Sequence, residues 1–207
     1  MRGIHLLHPF VRAKAEALIE ACSACGLPLL ITDTLRTREE QDNLYAQGRT
    51  RPGGIVTNCR GSDYKSPHQW GVAFDFCKNI KGQEYNDRAF FQQVGAVGKS
   101  LGLFWGGDFK SFVDMPHFED TRFVKNNSCN TLIRDYGTPE AFFGDWKKVN
   151  EIDETVVNLL HDGVASDGAH WRGFLYGIST TKPEYIKIIF DRYHVLLNAK
   201  GKEENIT

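Results

Sequence analysis

The segment SPHQWGVAFD, at residues 66–75, carries the clearest structural pattern of the chain. From Val72 onward, large apolar residues alternate with small or polar ones. This alternation predicts a β-strand, because successive side chains of a strand point to opposite faces. The alternation places Asp75 on the face opposite Phe74 and Phe76, among small neighbours. The strand therefore presents a carboxylate that has room for an ion beside it.

A second polar stretch, FVDMPHFE at residues 112–119, carries a carboxylate and an imidazole on either side of a proline. Proline has no backbone N–H and interrupts a helix, so Pro116 excludes a helical i, i+3 pairing of Asp114 and His117. We expect these two residues on a bent or edge-strand segment. The chain has no HExxH motif, which excludes a zinc site of the type carried by one helix.

Together the two stretches supply the donors that a catalytic zinc site needs. Such a site takes three His or carboxylate ligands and leaves a fourth position open for water. It also needs a further carboxylate that accepts a proton from that water. His68, Asp75 and His117 can be the ligands, and Asp114 can be the base. A single histidine is more often a structural residue than a ligand, so the spacing alone leaves a structural role open for both imidazoles.

The flanking sequence predicts helices around a small sheet. Proline at the start and glycine just past the end indicate a helix over residues 9–25, and a strand is expected over residues 27–34. A capping box that begins at Thr37 predicts a second helix, and residues 87–101 have a helical pattern of apolar positions. These elements predict an α+β fold, in which a small antiparallel sheet with flanking helices holds the zinc site.

The C-terminal part of the chain has a different character. From residue 149 onward, three apolar stripes at helical spacing are separated by Gly163 and Gly177. We therefore expect two domains. Residues 1–148 form the domain with the metal site and its connector helices, and residues 149–207 form a small helical module.

Composition excludes several classes of protein. The chain of 207 residues has a formal net charge of -1 at pH 7, so it lacks the basic footprint of a nucleic-acid-binding protein. No segment approaches the run of about 20 apolar residues that spans a membrane. The N-terminal residues lack the apolar run and the cleavage site of a secretory signal, so we expect the protein to be made in the cytoplasm and to stay there unless something else releases it.

Three separate blocks of sequence resemble one known family. They are the pattern SxHxxGxAxD at residues 66–75, the pattern DxPHFE at residues 114–119 and one upstream block, which reads LRTREEQ at residues 35–41 and continues as LYAQGRT at residues 44–50. All three are similar to the zinc D-Ala-D-Ala carboxypeptidase (VanY-like) and L-alanyl-D-glutamate endopeptidase family. These enzymes cut the stem peptides of bacterial peptidoglycan. The resemblance covers residues 5–125.

The resemblance implies a role for each candidate residue. It implies zinc on His68, Asp75 and His117, Asp114 as general base, and Arg36 as the cation that stabilises the oxyanion or binds a substrate carboxylate. Further candidates, which would orient the ligands or contact the substrate, are Ser66, Gln41, Asp108 and Glu119. A solvated surface position is an equal alternative for the last two, and a structural role stays open for the arginine.

The expected function is hydrolysis of the peptidoglycan stem peptide at the L-Ala–D-Glu bond, as by a phage endolysin. D,D- or L,D-carboxypeptidase activity and a non-catalytic wall-binding module are the alternatives. The expected cofactor is Zn²⁺, and the expected partner is bacterial peptidoglycan. The C-terminal module is expected to attach the enzyme to the wall, to self-associate or to extend the packing of the first domain. We expect a holin-type pore to release the enzyme.

Overall fold

The computed structural model describes residues 3–110, 112–124, 128–144 and 146. Its helices and strands, in chain order, include α1 (Pro9–Ala24), β1 (Leu29–Asp33), α2 (Arg38–Ala46), β2 (Ala73–Lys78), α3 (Arg88–Ser100), β3 (Leu103–Trp105), β4 (His117–Asp120) and α4 (Asn130–Tyr136), and residues 139–144 are also helical. Short 3-10 turns lie between them, and the turn at Pro67–Trp70 leads into β2. One compact unit of the chain runs to Gly144 and contains all of these elements.

The four strands form one antiparallel sheet in the order β1-β2-β4-β3. The two inner strands, β2 and β4, pair with each other, and their register sets Asp75 directly opposite His117. Facing residues of an antiparallel pair have Cβ atoms only about 4.5–5.5 Å apart. The strand register therefore brings a carboxylate and an imidazole together.

Aromatic side chains fill the opposite face of the sheet. Phe74, Phe76 and Phe118 are fully buried, and the ring centroids of Phe76 and Phe118 lie 5.0 Å apart. Helix α3 packs closely here at Gly98, where an added Cβ would lie 2.3 Å from Phe118 Cζ. The alternation along β2 thus separates an apolar core face from the face that bears Asp75.

Local sequence signals explain where the helices begin. Pro9 occupies the first turn of α1. Thr37 and Glu40 form the reciprocal capping box of α2, as the sequence predicts. The Asp87 side chain accepts a hydrogen bond from the backbone N–H of Phe90 at the start of α3. The predicted α+β fold with a small antiparallel sheet is confirmed.

Two features differ from the expectation. The segment with His117 is not an edge strand, because β3 pairs with β4 on the side away from β2. Pro116 lies just before β4, where its missing N–H removes no bond from the sheet ladder. Helix α4 was not predicted, since it has only seven residues and buries only Leu132.

The predicted module at residues 149–207 lies outside the described residues, so it stays a prediction. In the part of the chain that the structure describes, every helix is too short or too polar to cross a membrane.

Candidate metal centre

Three side chains from different parts of the chain converge at one point. His68 comes from the turn before β2, Asp75 from β2 and His117 from the first position of β4. His68 Nε2 lies 3.2 Å from both His117 Nδ1 and Asp75 Oδ1. His117 Nδ1 lies 3.1 Å from the same Oδ1 atom. The three donor atoms therefore form a nearly equilateral triangle.

The triangle has the size that a tetrahedral metal ion requires. With zinc bonds of about 2.0–2.1 Å, neighbouring ligand atoms in a tetrahedron lie about 3.3 Å apart. The observed separations of 3.1 and 3.2 Å are close to this value. Among the described residues, this is the one group of His, Cys, Asp and Glu side chains whose donor atoms all lie within 4.8 Å of one another. Two imidazoles and a carboxylate in this arrangement fit a divalent ion such as zinc.

The surroundings of Asp75 and of His117 shift the pKa of each group. Burial raises the pKa of Asp75, but the adjacent His68 and His117 outweigh it and hold that pKa well below its usual range. Burial lowers the pKa of His117, but hydrogen bonds to Asp75 and Glu119 raise it to about 10. The carboxylates of the cluster therefore favour a bound cation, either a proton or a metal ion.

A backbone carbonyl orients His68. The Nδ1 atom lies 2.8 Å from the carbonyl oxygen of Thr34, a fully buried residue. Nδ1–H therefore donates to this carbonyl, and Nε2 is left to bind a metal. Gly71 ends the turn with a φ of 64°, a left-handed conformation that glycine adopts without strain. The turn thus sets the position of the imidazole, and the Thr34 carbonyl sets its tautomer.

A buried carboxylate faces the second imidazole. Glu119 is 2% exposed, and its Oε2 lies 3.4 Å from His117 Nε2. Both residues lie on β4, where positions two apart share a face. Nε2–H can donate to Glu119 while Nδ1 faces the other two ligands, an arrangement common among metal-binding histidines. Asp108, the other carboxylate that the sequence suggests for this role, forms an exposed ion pair with Lys99 at 2.9 Å.

Arg36 lies beside the ligands but is largely engaged within the protein. Its Nη1 donates to Gln41 Oε1 at 2.8 Å, and its Nε donates to Asp33 Oδ2 at 3.1 Å. Its Nη2 lies 3.7 Å from Asp75 Oδ2. Gln41 is fully buried and donates in turn to the loop at residues 57–59. Gln41 therefore holds both the arginine and the loop in place, and both its amide oxygen and its amide nitrogen are engaged in these hydrogen bonds.

Asp114 is held in the loop before β4 and lines the same cleft as the three ligands. Its backbone N–H donates to the Gly106 carbonyl at 2.9 Å, and its carbonyl accepts from the His117 N–H at 3.2 Å. A Cβ at position 106 would lie 2.3 Å from the Asp114 carbonyl oxygen, so this approach requires glycine. Burial raises the pKa of the Asp114 carboxyl. A raised pKa brings a carboxylate closer to the range of an effective proton acceptor.

The cleft has a volume of about 610 Å³ and is also lined by Ser66, which is buried. Sequence reasoning missed two contributors to the site. Asp33 pairs with Arg36, and only its place at the end of a strand three residues before the arginine could have suggested this. Thr34 acts through its backbone carbonyl, which leaves no signal in a sequence.

The chain is similar in sequence to known proteins. The family model described as D-alanyl-D-alanine carboxypeptidase matches residues 60–120. The chain is 42% identical over 123 residues to the peptidoglycan L-alanyl-D-glutamate endopeptidase CwlK of Bacillus subtilis. This alignment covers 55% of this chain and 72% of the relative. The chain is also 28% identical over 173 residues to the L-alanyl-D-glutamate peptidase of Listeria phage A118. That alignment covers 76% of this chain and 57% of the relative.

Among solved structures, the L-Ala D-Glu endopeptidase ChiX of Serratia marcescens aligns with a TM-score of 0.43 and 18% identity, over 57% of this chain and 84% of that chain. A likeness at this level carries no argument about activity.

Proposed function

The chain belongs to the M15 family of peptidases, and we propose that it is a zinc-dependent endopeptidase that cuts the L-Ala–D-Glu bond of peptidoglycan stem peptides. The observation that carries the proposal is the donor triangle of His68, Asp75 and His117 in one cleft with Asp114. The names of two relatives, at 42% and 28% identity, support the choice of bond.

The donor triangle would hold the metal ion through His68 Nε2, Asp75 Oδ1 and His117 Nδ1. When bound, zinc supplies Lewis-acid polarisation of a carbonyl and lowers the pKa of a water toward about 7. The Thr34 carbonyl and the Glu119 carboxylate favour the tautomers that leave these two nitrogens free. The protein thus contributes a donor set that needs little rearrangement to receive the ion.

Asp114 is the general base in this proposal. It accepts a proton from the attacking water and returns it to the leaving amine of D-Glu. Its backbone is tied to Gly106 and to His117, so the carboxylate keeps a fixed position relative to the ligands. Arg36, with its Nη2 3.7 Å from Asp75 Oδ2, supplies fixed positive charge beside the place where the oxyanion forms.

D,D- or L,D-carboxypeptidase activity is the second candidate, and the description of the matching family model favours it. Mass spectrometry of the fragments released from purified peptidoglycan separates the two candidates. The endopeptidase should release fragments that begin with D-Glu and leave stems that end in L-Ala. Release of D-Ala without such fragments would refute the choice of bond.

Asp114→Asn tests the assignment of the base in the same digestion. The variant should keep its zinc, because Asp114 is not one of the proposed ligands, and it should lose nearly all turnover. Undiminished cutting by this variant would show that another group accepts the proton. His68→Ala should lose both the zinc and the activity.

The setting in which the enzyme works is also a proposal. A relative in a Listeria phage supports action on the cell wall during lysis, after release through a holin-type pore. For residues 149–207 we propose wall attachment or self-association. The full chain should then pellet with purified cell walls more completely than a chain that ends at residue 148, and equal pelleting would remove wall attachment.

A further inference from the structure

Of the two cationic side chains that line the cleft, one is paired with acidic residues and the other is not. Its acidic residues are Asp33, Asp75, Asp114 and Glu119, and its cationic residues are Arg36 and Lys65. Arg36 is hydrogen-bonded to Asp33 and lies beside Asp75. Lys65 is exposed and, within the described ranges of the chain, forms neither an ion pair nor a side-chain hydrogen bond. One cation of the cleft is therefore available to a ligand.

The backbone at Lys65 is anchored although its side chain is exposed. The carbonyl of the preceding residue, Tyr64, accepts a hydrogen bond from Trp70 Nε1 at 2.7 Å, and Trp70 is fully buried. The following residue, Ser66, is buried as well. Lys65 thus lies on a fixed segment just before the ligand His68, and its flexible stem can present an ammonium group to a bound molecule.

The leaving half of the substrate carries a negative charge beside the scissile bond. In a stem peptide D-Glu is linked onward through its γ-carboxyl group. Its α-carboxylate is therefore free, on the carbon that bears the scissile nitrogen. The terminal D-Ala of a carboxypeptidase substrate has the same arrangement. Arg36 and the proposed zinc ion already offset carboxylates of the cleft, whereas Lys65 forms no ion pair among the described residues, so its charge is left to attract this group.

We propose that Lys65 binds the free α-carboxylate of the D-amino acid on the leaving side of the scissile bond. The naming of D-Glu as that amino acid rests on the proposed function. Lys65 then sets a preference for D-Glu over its α-amide, D-isoglutamine, which lacks the charge. The contact forms in the bound substrate and persists through the reaction, so it lowers KM and leaves kcat nearly unchanged.

Calorimetry on the zinc-loaded full chain tests the contact without turnover. The probes are the dipeptide γ-D-Glu-L-Lys and the same dipeptide with an α-amide. Wild type should bind the acid about tenfold or more tightly than Lys65→Met does, because a charge-assisted hydrogen bond is lost. Both proteins should bind the amide alike, and Lys65→Arg should restore binding of the acid. The matched control Lys81→Met, which alters an exposed lysine outside the cleft, should behave as wild type.

Equal affinity of wild type and Lys65→Met for the acid overturns the proposal, and so does an equal loss for the acid and the amide. Hydrolysis of L-Ala-γ-D-Glu-L-Lys and of its α-amide provides the kinetic counterpart. Lys65→Met should raise KM for the acid about tenfold or more and leave the amide unaffected. A fall in kcat at unchanged KM contradicts the assignment. If zinc-loaded wild type cuts neither peptide, the proposed function fails, whereas the binding comparison still decides the role of Lys65.

Discussion

Replacement of Glu119 with glutamine removes a charge and keeps the shape of the side chain that faces His117. Glu119 is 2% exposed, and its Oε2 lies 3.4 Å from His117 Nε2. The carboxylate favours the tautomer with a proton on Nε2 and makes the imidazole a stronger metal ligand. Glutamine can still accept a hydrogen bond through its amide oxygen, so the substitution tests charge rather than packing.

The expected magnitude follows from this geometry. Loss of the partner of a metal-binding histidine weakens metal affinity by about 10- to 100-fold. The observed separation of 3.4 Å exceeds the optimum of about 2.9–3.0 Å for an N–H···O bond, so the contact is not among the strongest. Glutamine also retains a neutral hydrogen bond. We therefore expect zinc to bind about tenfold more weakly to Glu119→Gln, which is about 1.4 kcal/mol.

Competition titration against a chromophoric chelator near neutral pH measures this difference. Asp108→Asn is the matched control, because Asp108 is exposed and pairs with Lys99 rather than with a histidine. The control should bind zinc as wild type does. If Glu119→Gln also bound zinc with wild-type affinity, the inference that Glu119 acts on the metal through His117 would be refuted.

Three further changes test the fold that carries the site. Thr37→Ala removes the capping box of α2 and should lower the free energy of unfolding in urea by about 1 kcal/mol. Gly98→Ala places a Cβ 2.3 Å from Phe118 Cζ. The overpacking should destabilise the fold by about 1–3 kcal/mol, which outweighs the stabilisation of about 1 kcal/mol from the higher helix propensity of alanine. The variant should therefore have a lower Tm than wild type, and a raised Tm would contradict this. A hydrogen bond from Lys78 lowers the pKa of Asp87. The pKa of Asp87 is lower in the folded than in the unfolded state, so the stabilisation is complete above the unfolded pKa and is lost as the pH falls through the folded pKa. The free energy of unfolding of Asp87→Asn should therefore fall less steeply with falling pH than that of wild type.

The local structure around the site could be predicted because short stretches of sequence determine it. The capping box at Thr37 and the alternation through Asp75 each depend on a few neighbouring residues. The burial of alternate residues then fixes which face of β2 carries the carboxylate. Pro116 correctly excluded a helix, but it could not reveal whether the following strand lies at the edge or inside the sheet, since this depends on pairing with β3.

The assembly of the site depends on contacts between distant parts of the chain. The register that sets Asp75 opposite His117 joins two separate strands, and spacing in the sequence does not specify it. The engagement of Arg36 by Asp33 and Gln41 is likewise a tertiary feature. The donor types in the two polar stretches suggested the ligand set, and the resemblance to a known family supported it. That Lys65 has no ion pair among the described residues, in contrast, depends on where the neighbouring charges lie in the fold.

On this structure, two imidazoles and one carboxylate of the chain should hold a divalent ion. X-ray absorption at the zinc edge of the zinc-loaded full chain measures these ligands. We expect scattering from two imidazole rings, nitrogen and oxygen ligands at about 2.0–2.1 Å, and the loss of one ring in His117→Ala. A sulfur ligand at about 2.3 Å, or two imidazole rings retained in His117→Ala, would contradict the account.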